Sequence, residues 1–167
     1  MRILIADDHA VVRFGLKTIL GREEGWEVVG EAASGAEALA LALQLQPDIA
    51  VLDINMPGMS GLDALKAIRE RLPATRVVIL TLHYSTQWIQ EIRRAGAKGY
   101  VTKSDADRDL VAAVAAVAAG RSYFTQKALD AGPAIPAMSV PRPAEFALSA
   151  NEREAVRNIA QTIRKLL

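Results

Sequence analysis

The sequence predicts an α/β fold in which five parallel strands form one doubly wound sheet with helices on both faces. Strand-like and helix-like segments alternate from residue 1 to about residue 120, which gives five βα units. The strand-like segments are continuous apolar runs, as strands buried on both faces usually are. Four of these runs lead into residues that can take part in phosphate chemistry. Because the carboxyl ends of parallel strands meet at one edge, the pattern also predicts a polar site there.

Each element of this sheet has a local signal. The strands are predicted at residues 2–7, 26–32, 48–53, 76–81 and 98–102. The helices are predicted at about 10–20, 35–45, 61–71, 85–95 and 105–120. Ser34 and Glu37 have the spacing of a capping box at the start of the second helix, and Pro47 ends that helix. The expected strand order is 2-1-3-4-5, with the third strand between the first and the fourth.

The chain changes character after the fifth unit. We assign residues 1–125 to the α/β domain and residues 126–147 to a linker, because four prolines lie between residues 130 and 147 without any regular period. Residues 148–167 carry one more helix signal, in which Ser149 and Glu152 form a capping box. A segment of about 20 residues cannot bury a core of its own.

Composition excludes several classes of protein. The net charge of +1 argues against a role that depends on the charge of the whole chain. The lack of cysteine rules out disulfides and thiolate metal sites, and it is typical of a reducing compartment. The apolar run in MRILIADD is too short for a signal peptide, and no apolar span reaches the roughly 18 to 20 residues of a membrane helix. We therefore expect a cytoplasmic protein without a membrane contact.

Three carboxylates are predicted to meet at the carboxyl edge of the sheet. Asp7 and Asp8 belong to the end of the first strand, and Asp53 ends the third. Close together they would repel one another and favour protonation, unless a divalent cation neutralised them. Mg²⁺ fits best, because it uses one or two carboxylates and keeps waters that a phosphate oxygen can replace. Zinc would prefer cysteine or histidine, and the only histidines are His9 and His83.

The other two strand ends add a hydroxyl and an ammonium group. Thr81 ends the fourth strand, and Lys103 follows the fifth. Asp53 is the predicted nucleophile and would form an aspartyl phosphate, while Lys103 and Thr81 would each bind a phosphoryl oxygen. Each residue alone has a plainer interpretation, such as a polar turn, an ordinary strand threonine or a solvated lysine. The function is inferred from the joint pattern, in which each polar residue ends its own strand.

On these motifs the chain resembles the receiver domain of bacterial two-component response regulators. The matching motifs are Asp7 and Asp8 in ILIADDH, Asp53 in VLDINMPGMSGL, Thr81 in VVILTLH and Lys103 in GYVTKS. The resemblance covers about residues 1–125. It is most similar to the NarL/FixJ subfamily, which has a LuxR-type output domain, on the segments ADDHAVVRFGL, ILTLH and AGAKGYVTKS. It implies a flavodoxin- or CheY-like fold and a signalling switch that is not an enzyme.

The resemblance implies a role for each residue of the acidic site. Asp53 would accept phosphate from the phosphohistidine of a sensor histidine kinase. Mg²⁺ would be held by Asp8 and Asp53, with help from Asp7 through water. The backbone carbonyl of Asn55 would add a further ligand. Lys103 would contact the phosphate.

The resemblance also implies a conformational switch. Thr81 would swing toward the phosphoryl group, and Tyr100 would reorient with it and change the surface of the fourth and fifth helices. A phosphoryl group adds about −1.5 to −2 charge and three acceptor oxygens, which is enough to bias a bistable loop or helix. Asn55 and His83 stand where receivers tune the lifetime of the acyl phosphate. Ser104 is a departure, because a proline follows the lysine in many receivers.

The sequence leaves the output open. NarL/FixJ regulators usually end in a helix-turn-helix domain, and residues 148–156 resemble its start, but no recognition helix can be placed. Residues 148–167 are therefore expected to be a truncated remnant of that domain. One hypothesis is a receiver that acts through protein contacts, as a homodimer or with its kinase. A second is a regulator that binds DNA only when its output domain is complete. A third is a phosphatase of the haloacid dehalogenase type, which would need an aspartate where this chain has Asn55.

Overall fold

Six strands and five α-helices are present in the residues that the computed structural model describes, 1–82 and 86–125, with the side chains of 86 and 87 excepted. The strands are β1 (Arg2–Ala6), β2 (Glu27–Ala32), β3 (Ile49–Asp53), β4 (Arg76–Thr81), β5 (Gly99–Thr102) and β6 (Tyr123–Phe124). The helices are α1 (Ala10–Leu20), α2 (Gly35–Leu45), α3 (Gly61–Arg71), α4 (Thr86–Ala95) and α5 (Ala106–Ala118), and a short 3-10 helix (Lys103–Asp105) joins β5 to α5. The predicted linker, the predicted C-terminal remnant and His83 lie outside the described residues.

All strands are parallel and form one sheet in the order β2-β1-β3-β4-β5-β6. The predicted order 2-1-3-4-5 is confirmed, as is the doubly wound α/β class. The predicted number of five strands is wrong by one, because β6 extends the sheet beyond β5. Tyr123 pairs with Gly99 and Phe124 with Tyr100. Two residues are too few to show any strand period, so the sequence had no signal for β6.

Helix starts follow the capping rules with small departures. Ser34 accepts a hydrogen bond from the backbone N–H of Glu37 at 3.2 Å, as predicted. The carboxylate of Glu37 accepts from the N–H of Ala33 at 2.7 Å and not from that of Ser34, so only one half of the predicted capping box is present. Asp105 is the N-cap residue of α5 but makes no capping bond with its side chain. Its carboxylate is engaged instead by the hydroxyl of Thr102 at 2.6 Å.

The core consists of two apolar layers, one on each face of the sheet. Alternate residues of β1 enter opposite layers: Leu4 and Ala6 pack under α2 and α3, and Ile3 and Ile5 pack under α1 and α5. The central strand β3 is buried along its whole length. Within the part of the chain that the structure describes, no helix is long and apolar enough to cross a membrane.

Candidate functional site

Three charged side chains that are far apart in sequence meet at the carboxyl edge of the sheet. The ammonium nitrogen of Lys103 lies 2.6 Å from Oδ2 of Asp7 and 2.9 Å from Oδ2 of Asp53. Asp7 is 0% exposed, Asp53 is 2% exposed and Lys103 is 4% exposed. Ion pairs buried to this degree are uncommon unless they serve structure or function, because removing charges from water is costly.

The strand register produces this meeting. Ala6 of β1 pairs with Leu52 of β3, so the residues that follow them, Asp7 and Asp53, stand side by side at the same level. β4 lies between β3 and β5, and Lys103 follows immediately after β5. The long lysine side chain is needed because the carboxylate of Asp53 is two strands away and that of Asp7 is three strands away. A shorter cation on that loop would not reach them.

Asp8 and His9 extend the site on the loop between β1 and α1. Nδ1 of His9 lies 2.6 Å from Oδ1 of Asp8 and 3.2 Å from Oδ1 of Asp7. The backbone N–H of His9 donates to Oδ1 of Asp7 at 2.9 Å. Arg13, one turn into α1, donates to the backbone carbonyl of Asp7 at 2.6 Å. The loop that carries both aspartates is therefore fixed from two sides.

Sequence reasoning did not include His9 or Arg13 in the site. A signal for His9 was present, since it follows the two aspartates directly and imidazole is a common metal ligand. Arg13 gave no such signal, because its contact is with a backbone carbonyl and no side-chain pattern reveals that.

Several carboxylate oxygens are left without hydrogen bonds. Oδ1 of Asp53 is buried and has no hydrogen-bond partner among the described residues. Oδ2 of Asp7 and Oδ1 of Asp8 are close to a cationic or imidazole nitrogen, but these contacts lack hydrogen-bond geometry. Three carboxylates face one lysine, so the site has an excess of negative charge. This donor set fits a divalent cation with oxygen ligands.

Burial and charge pull the pKa values of the two ion-paired aspartates in opposite directions. The pKa of Asp53 is raised to about 7, chiefly by burial and also by the nearby charge of Asp7, against the opposing charge of Lys103. Burial would also raise the pKa of Asp7, but the hydrogen bond from His9 and the charge of Lys103 hold it below its ordinary value. Asp7 is thus the stable anion of the pair, and Asp53 is the carboxyl whose charge depends on its surroundings.

Burial and nearby charges also shift the pKa values of Asp8, His9 and Lys103. Burial raises the pKa of Asp8. The hydrogen bond to Asp7 raises the pKa of the His9 imidazole, against the opposing effect of burial. Burial would lower the pKa of Lys103, but the charges of Asp53 and Asp7 raise it above its ordinary value. Lys103 therefore remains an ammonium ion despite its burial.

The remaining predicted site residues occupy different environments. Thr81 ends β4 at the same edge, pairs with Thr102 of β5 and is buried. Tyr100 is completely buried in the apolar layer that includes Ile89 and Ile92 of α4. Asn55 is half-buried two residues after Asp53. His83 lies outside the described residues.

The structure thus brings together Asp7, Asp8, Asp53 and Lys103 of the predicted set. One ligand atom from each of Asp7, Asp8 and His9 lies within 4.8 Å of the other two, which is the spacing of a metal site. This group shares Asp7 and Asp8 with the predicted ligand set of Asp7, Asp8, Asp53 and Asn55.

The chain is similar to known proteins across its described region. Residues 3–115 match the family model of the response regulator receiver domain. The chain is 44% identical over 128 residues to the oxygen regulatory protein NreC of Staphylococcus epidermidis, and the match covers 76% of this chain and 59% of NreC. The chain therefore spans less than two thirds of the length of this curated relative.

Two solved structures show the same fold. One is a two-component response regulator of the LuxR family from an Aurantimonas species, with 39% identity, a TM-score of 0.74, and coverage of 77% of this chain and 92% of that one. The other is the isolated REC domain of RcsB from Salmonella enterica serovar Typhimurium in the presence of the phosphomimetic BeF3-, with 27% identity, a TM-score of 0.73, and coverage of 78% and 97%.

Proposed function

Since the chain belongs to the response regulator receiver family, in its NarL/FixJ type, we propose that it accepts a phosphoryl group on Asp53 from a sensor histidine kinase and thereby changes a protein-binding surface. The observation that carries this proposal is the buried contact of Lys103 with both Asp7 and Asp53 at the carboxyl edge of the sheet. An unpartnered oxygen of Asp53 lies in the same site. The proposed role is that of a signalling switch and not of a turnover enzyme.

Asp53 is the proposed nucleophile because of its position and its free oxygen. It lies at the end of the central strand, which is buried along its whole length and flanked by β1 and β4. An oxygen of its carboxylate would form a bond to phosphorus while the bond from phosphorus to the kinase imidazole nitrogen breaks, and the electron pair leaves with that nitrogen. Lys103 would hold one phosphoryl oxygen, and the Thr81 hydroxyl would hold another.

The carboxylates of Asp7, Asp8 and Asp53, together with the backbone carbonyl of Asn55, are the proposed holders of Mg²⁺. When bound, Mg²⁺ supplies positive charge that neutralises the oxygens of the transferred group. The fit rests on the excess of carboxylates over cations and on the unpartnered oxygen of Asp53. Asp7 also keeps the ammonium of Lys103 within reach of the phosphoryl position.

We propose that Thr81 and Tyr100 couple phosphorylation to the surface. Thr81 and Tyr100 lie on neighbouring strands, and the Tyr100 ring packs against residues of α4. A shift of the Thr81 hydroxyl toward a new phosphate would change the space beside the Tyr100 ring. The ring could then adopt a second packing arrangement. Asn55 and His83 are proposed to tune the lifetime of the acyl phosphate.

The partners of the whole protein are proposals as well. A sensor histidine kinase is the proposed phosphodonor, and a homodimer is a proposed product of the switch. Binding to DNA is proposed only for a form with a complete output domain. We propose action in the cytoplasm, which is supported by the lack of cysteine in the chain.

The acceptor assignment is tested by intact-protein mass spectrometry. Incubation with acetyl phosphate and Mg²⁺ is expected to add one phosphoryl group that hydroxylamine removes. Asp53→Ala should abolish this gain, because Asp7, the other carboxylate in contact with Lys103, is already engaged by the backbone N–H of His9 and is assigned to the metal. Asp107→Ala, which removes an exposed carboxylate on α5, is the matched control and should retain it. Hydroxylamine-labile phosphate on Asp53→Ala at the wild-type level would show that the acceptor is another residue.

The role of Lys103 is tested separately. Lys103→Ala is expected to permit some phosphorylation of Asp53 but to remove any phosphorylation-dependent change in oligomeric state. The reason is that the ammonium binds the phosphate after transfer and is not the acceptor. Sizing by light scattering with and without acetyl phosphate checks this. If the phosphorylated variant changes its oligomeric state as the wild type does, Lys103 is not required for the switch.

A further inference from the structure

We propose that Thr102 and Asp105 are positioning residues for Lys103, because the hydrogen bond between their side chains closes the turn that carries the lysine into the acidic site. The inference deepens the proposed function and rests on it, since it takes Lys103 to hold a phosphoryl oxygen. Thr102 and Asp105 act through the backbone of residues 102–105 and not by contact with the phosphoryl group.

Lys103 reaches its partners from a distant strand. It begins the 3-10 helix that follows β5, whereas Asp53 stands two strands away and Asp7 three strands away. Its ammonium nitrogen nevertheless lies 2.9 Å and 2.6 Å from their carboxylate oxygens. A lysine side chain is a flexible four-carbon stem, so its direction depends on the backbone from which it starts. A small rotation of that backbone would carry the ammonium away from both carboxylates.

A hydrogen bond between side chains spans the lysine. Thr102, which ends β5 and is completely buried, donates its hydroxyl proton to Oδ2 of Asp105 at 2.6 Å. Because that hydroxyl has a single proton, it accepts from the hydroxyl of Ser104, which lies 3.0 Å away. Arg108, in the first turn of α5, donates to Oδ1 of Asp105 at 3.3 Å. The turn is therefore closed around Lys103 and anchored to α5.

Both partners of this bond occupy capping positions that they do not use for capping. Asp105 is the N-cap residue of α5, where an aspartate carboxylate ordinarily accepts a backbone N–H of the helix. Its carboxylate makes no such bond and turns back to Thr102. Thr102 is the N-cap residue of the 3-10 helix and also makes no capping bond with its side chain. Their pairing across Lys103 indicates that they serve the turn and not the helix ends.

The residue at position 104 gives this bond a further reason. Ser104 stands where many receivers have a proline, whose ring fixes the backbone angle φ. Serine imposes no such restriction on the backbone next to Lys103. A chain with serine there requires another means of fixing the turn, and the hydrogen bond from Thr102 to Asp105 provides it.

The first test measures the rate of phosphorylation of the full chain by acetyl phosphate and Mg²⁺, by intact-protein mass spectrometry. Thr102→Val keeps the shape of the side chain but removes the hydroxyl, and it should slow phosphorylation roughly 3- to 10-fold. Thr102→Ser retains a hydroxyl donor and should restore most of the rate. In a Lys103→Ala background, Thr102→Val should have no further effect, because Thr102 acts only through Lys103.

Asp105 provides a second variant on a partly exposed side chain. Asp105→Ala should slow phosphorylation as much as Thr102→Val does, and the double substitution should slow it no further, because each removes the same hydrogen bond. Asp107→Ala removes an exposed carboxylate from the first turn of α5 and is the matched control. It should leave the rate unchanged. Circular dichroism establishes that each variant is folded.

The second test follows Lys103 without any phosphodonor. Nitrogen-15 NMR of the lysine ammonium groups should show a slowly exchanging signal that Lys103→Ala removes, since burial and two carboxylates protect this ammonium from water. Its hydrogen exchange should be at least about threefold faster in Thr102→Val and in Asp105→Ala. In Thr102→Ser it should remain close to that of the wild type.

Three results would overturn this inference. Thr102→Val and Asp105→Ala could leave either the phosphorylation rate or the ammonium exchange unchanged. Thr102→Val could slow phosphorylation equally with and without Lys103, or Thr102→Ser could behave as Thr102→Val does. A wrong acceptor would instead be revealed by phosphorylation of Asp53→Ala, and the NMR result does not depend on the acceptor. The two proposals therefore fail on different measurements.

Discussion

At the level of single residues, Asp53 is the group whose charge is most sensitive to its surroundings. It is buried at the end of the central strand, shares Lys103 with Asp7 and has one oxygen without a hydrogen-bond partner among the residues that the structure describes. Its pKa of about 7 means that the folded chain binds a proton there at pH values where the unfolded chain does not. Stability contributed by a raised carboxyl pKa is present at low pH and is lost as pH rises through the folded value.

This gives a pH-dependent prediction for the metal-free protein. Asp53→Asn should be more stable than the wild type at pH 8 by about 1 to 3 kcal/mol, because it removes a buried charge while Lys103 keeps its contact with Asp7. The gain should disappear near pH ~3, where Asp53 is protonated in the folded state and largely protonated in the unfolded one. Urea unfolding at both pH values measures it.

One control and one contradicting outcome accompany this measurement. Asp107→Asn, at an exposed position, should show no such pH-dependent gain. A wild type that is the more stable protein at pH 8 would mean that the ion pair with Lys103 outweighs the cost of burying the Asp53 charge.

At the level of elements, the position of Asp53 depends on how closely α3 begins against β3. The N–H of Gly61 donates to the carbonyl of Ile54 at 3.0 Å. A Cβ atom on Gly61 would lie 1.8 Å from the carbonyl oxygen of Asp53, which is backbone and cannot turn aside. Gly58, in the turn before α3, has a φ of +72° but open space around it. The two glycines are therefore required for different reasons.

A pair of alanine substitutions separates these reasons. Gly61→Ala should destabilise the fold by about 3 kcal/mol or more and reduce phosphorylation of Asp53, because β3 or α3 must shift. Gly58→Ala should cost roughly 1 to 2 kcal/mol for its left-handed backbone and leave phosphorylation intact. Denaturant unfolding and the mass assay measure both effects. If the two variants lose stability and phosphorylation equally, the close approach to the Asp53 backbone is not the reason that position 61 requires glycine.

Elements with a long apolar run were predictable from sequence. A two-residue strand, and a contact that forms only in the folded chain, were not. β3 and α3 were predicted to within one residue of their observed bounds. β6 was missed because only two residues pair, and its existence depends on the edge of β5. Asp7, Asp53 and Lys103 were grouped correctly by strand ends. Arg13 was missed because its partner is a backbone carbonyl.

At the level of the whole molecule, one sheet supports both apolar layers. Trp26 packs against the layer under α1 and α5, and Trp88 packs against the layer under α2, α3 and α4. β3 contributes alternate residues to both layers, so neither can be lost without exposing the central strand. The two tryptophans, which are the only ones in the chain, report on opposite faces of the sheet.

We therefore expect both faces to unfold in one cooperative transition. Trp26→Phe leaves Trp88 as the only tryptophan, and Trp88→Phe leaves Trp26, so tryptophan fluorescence excited apart from tyrosine reports on one face in each variant. After correction for the stability of each variant by circular dichroism, the fluorescence midpoint in urea should coincide with the circular dichroism midpoint in both. A fluorescence transition that separates from the circular dichroism transition in either variant would show that one layer opens on its own.

The parallel direction of β6 determines where the backbone goes next. A hairpin strand at this edge would have carried the polypeptide back to the opposite end of the sheet. β6 instead runs alongside β5, so Thr125 emerges on the same rim as the aspartates. The exit point is three strand spacings from β3, roughly 15 Å. A module tethered after Thr125 would thus start near the proposed phosphorylation site at Asp53. A conformational change at that site would have to cross only three strands to reach the module.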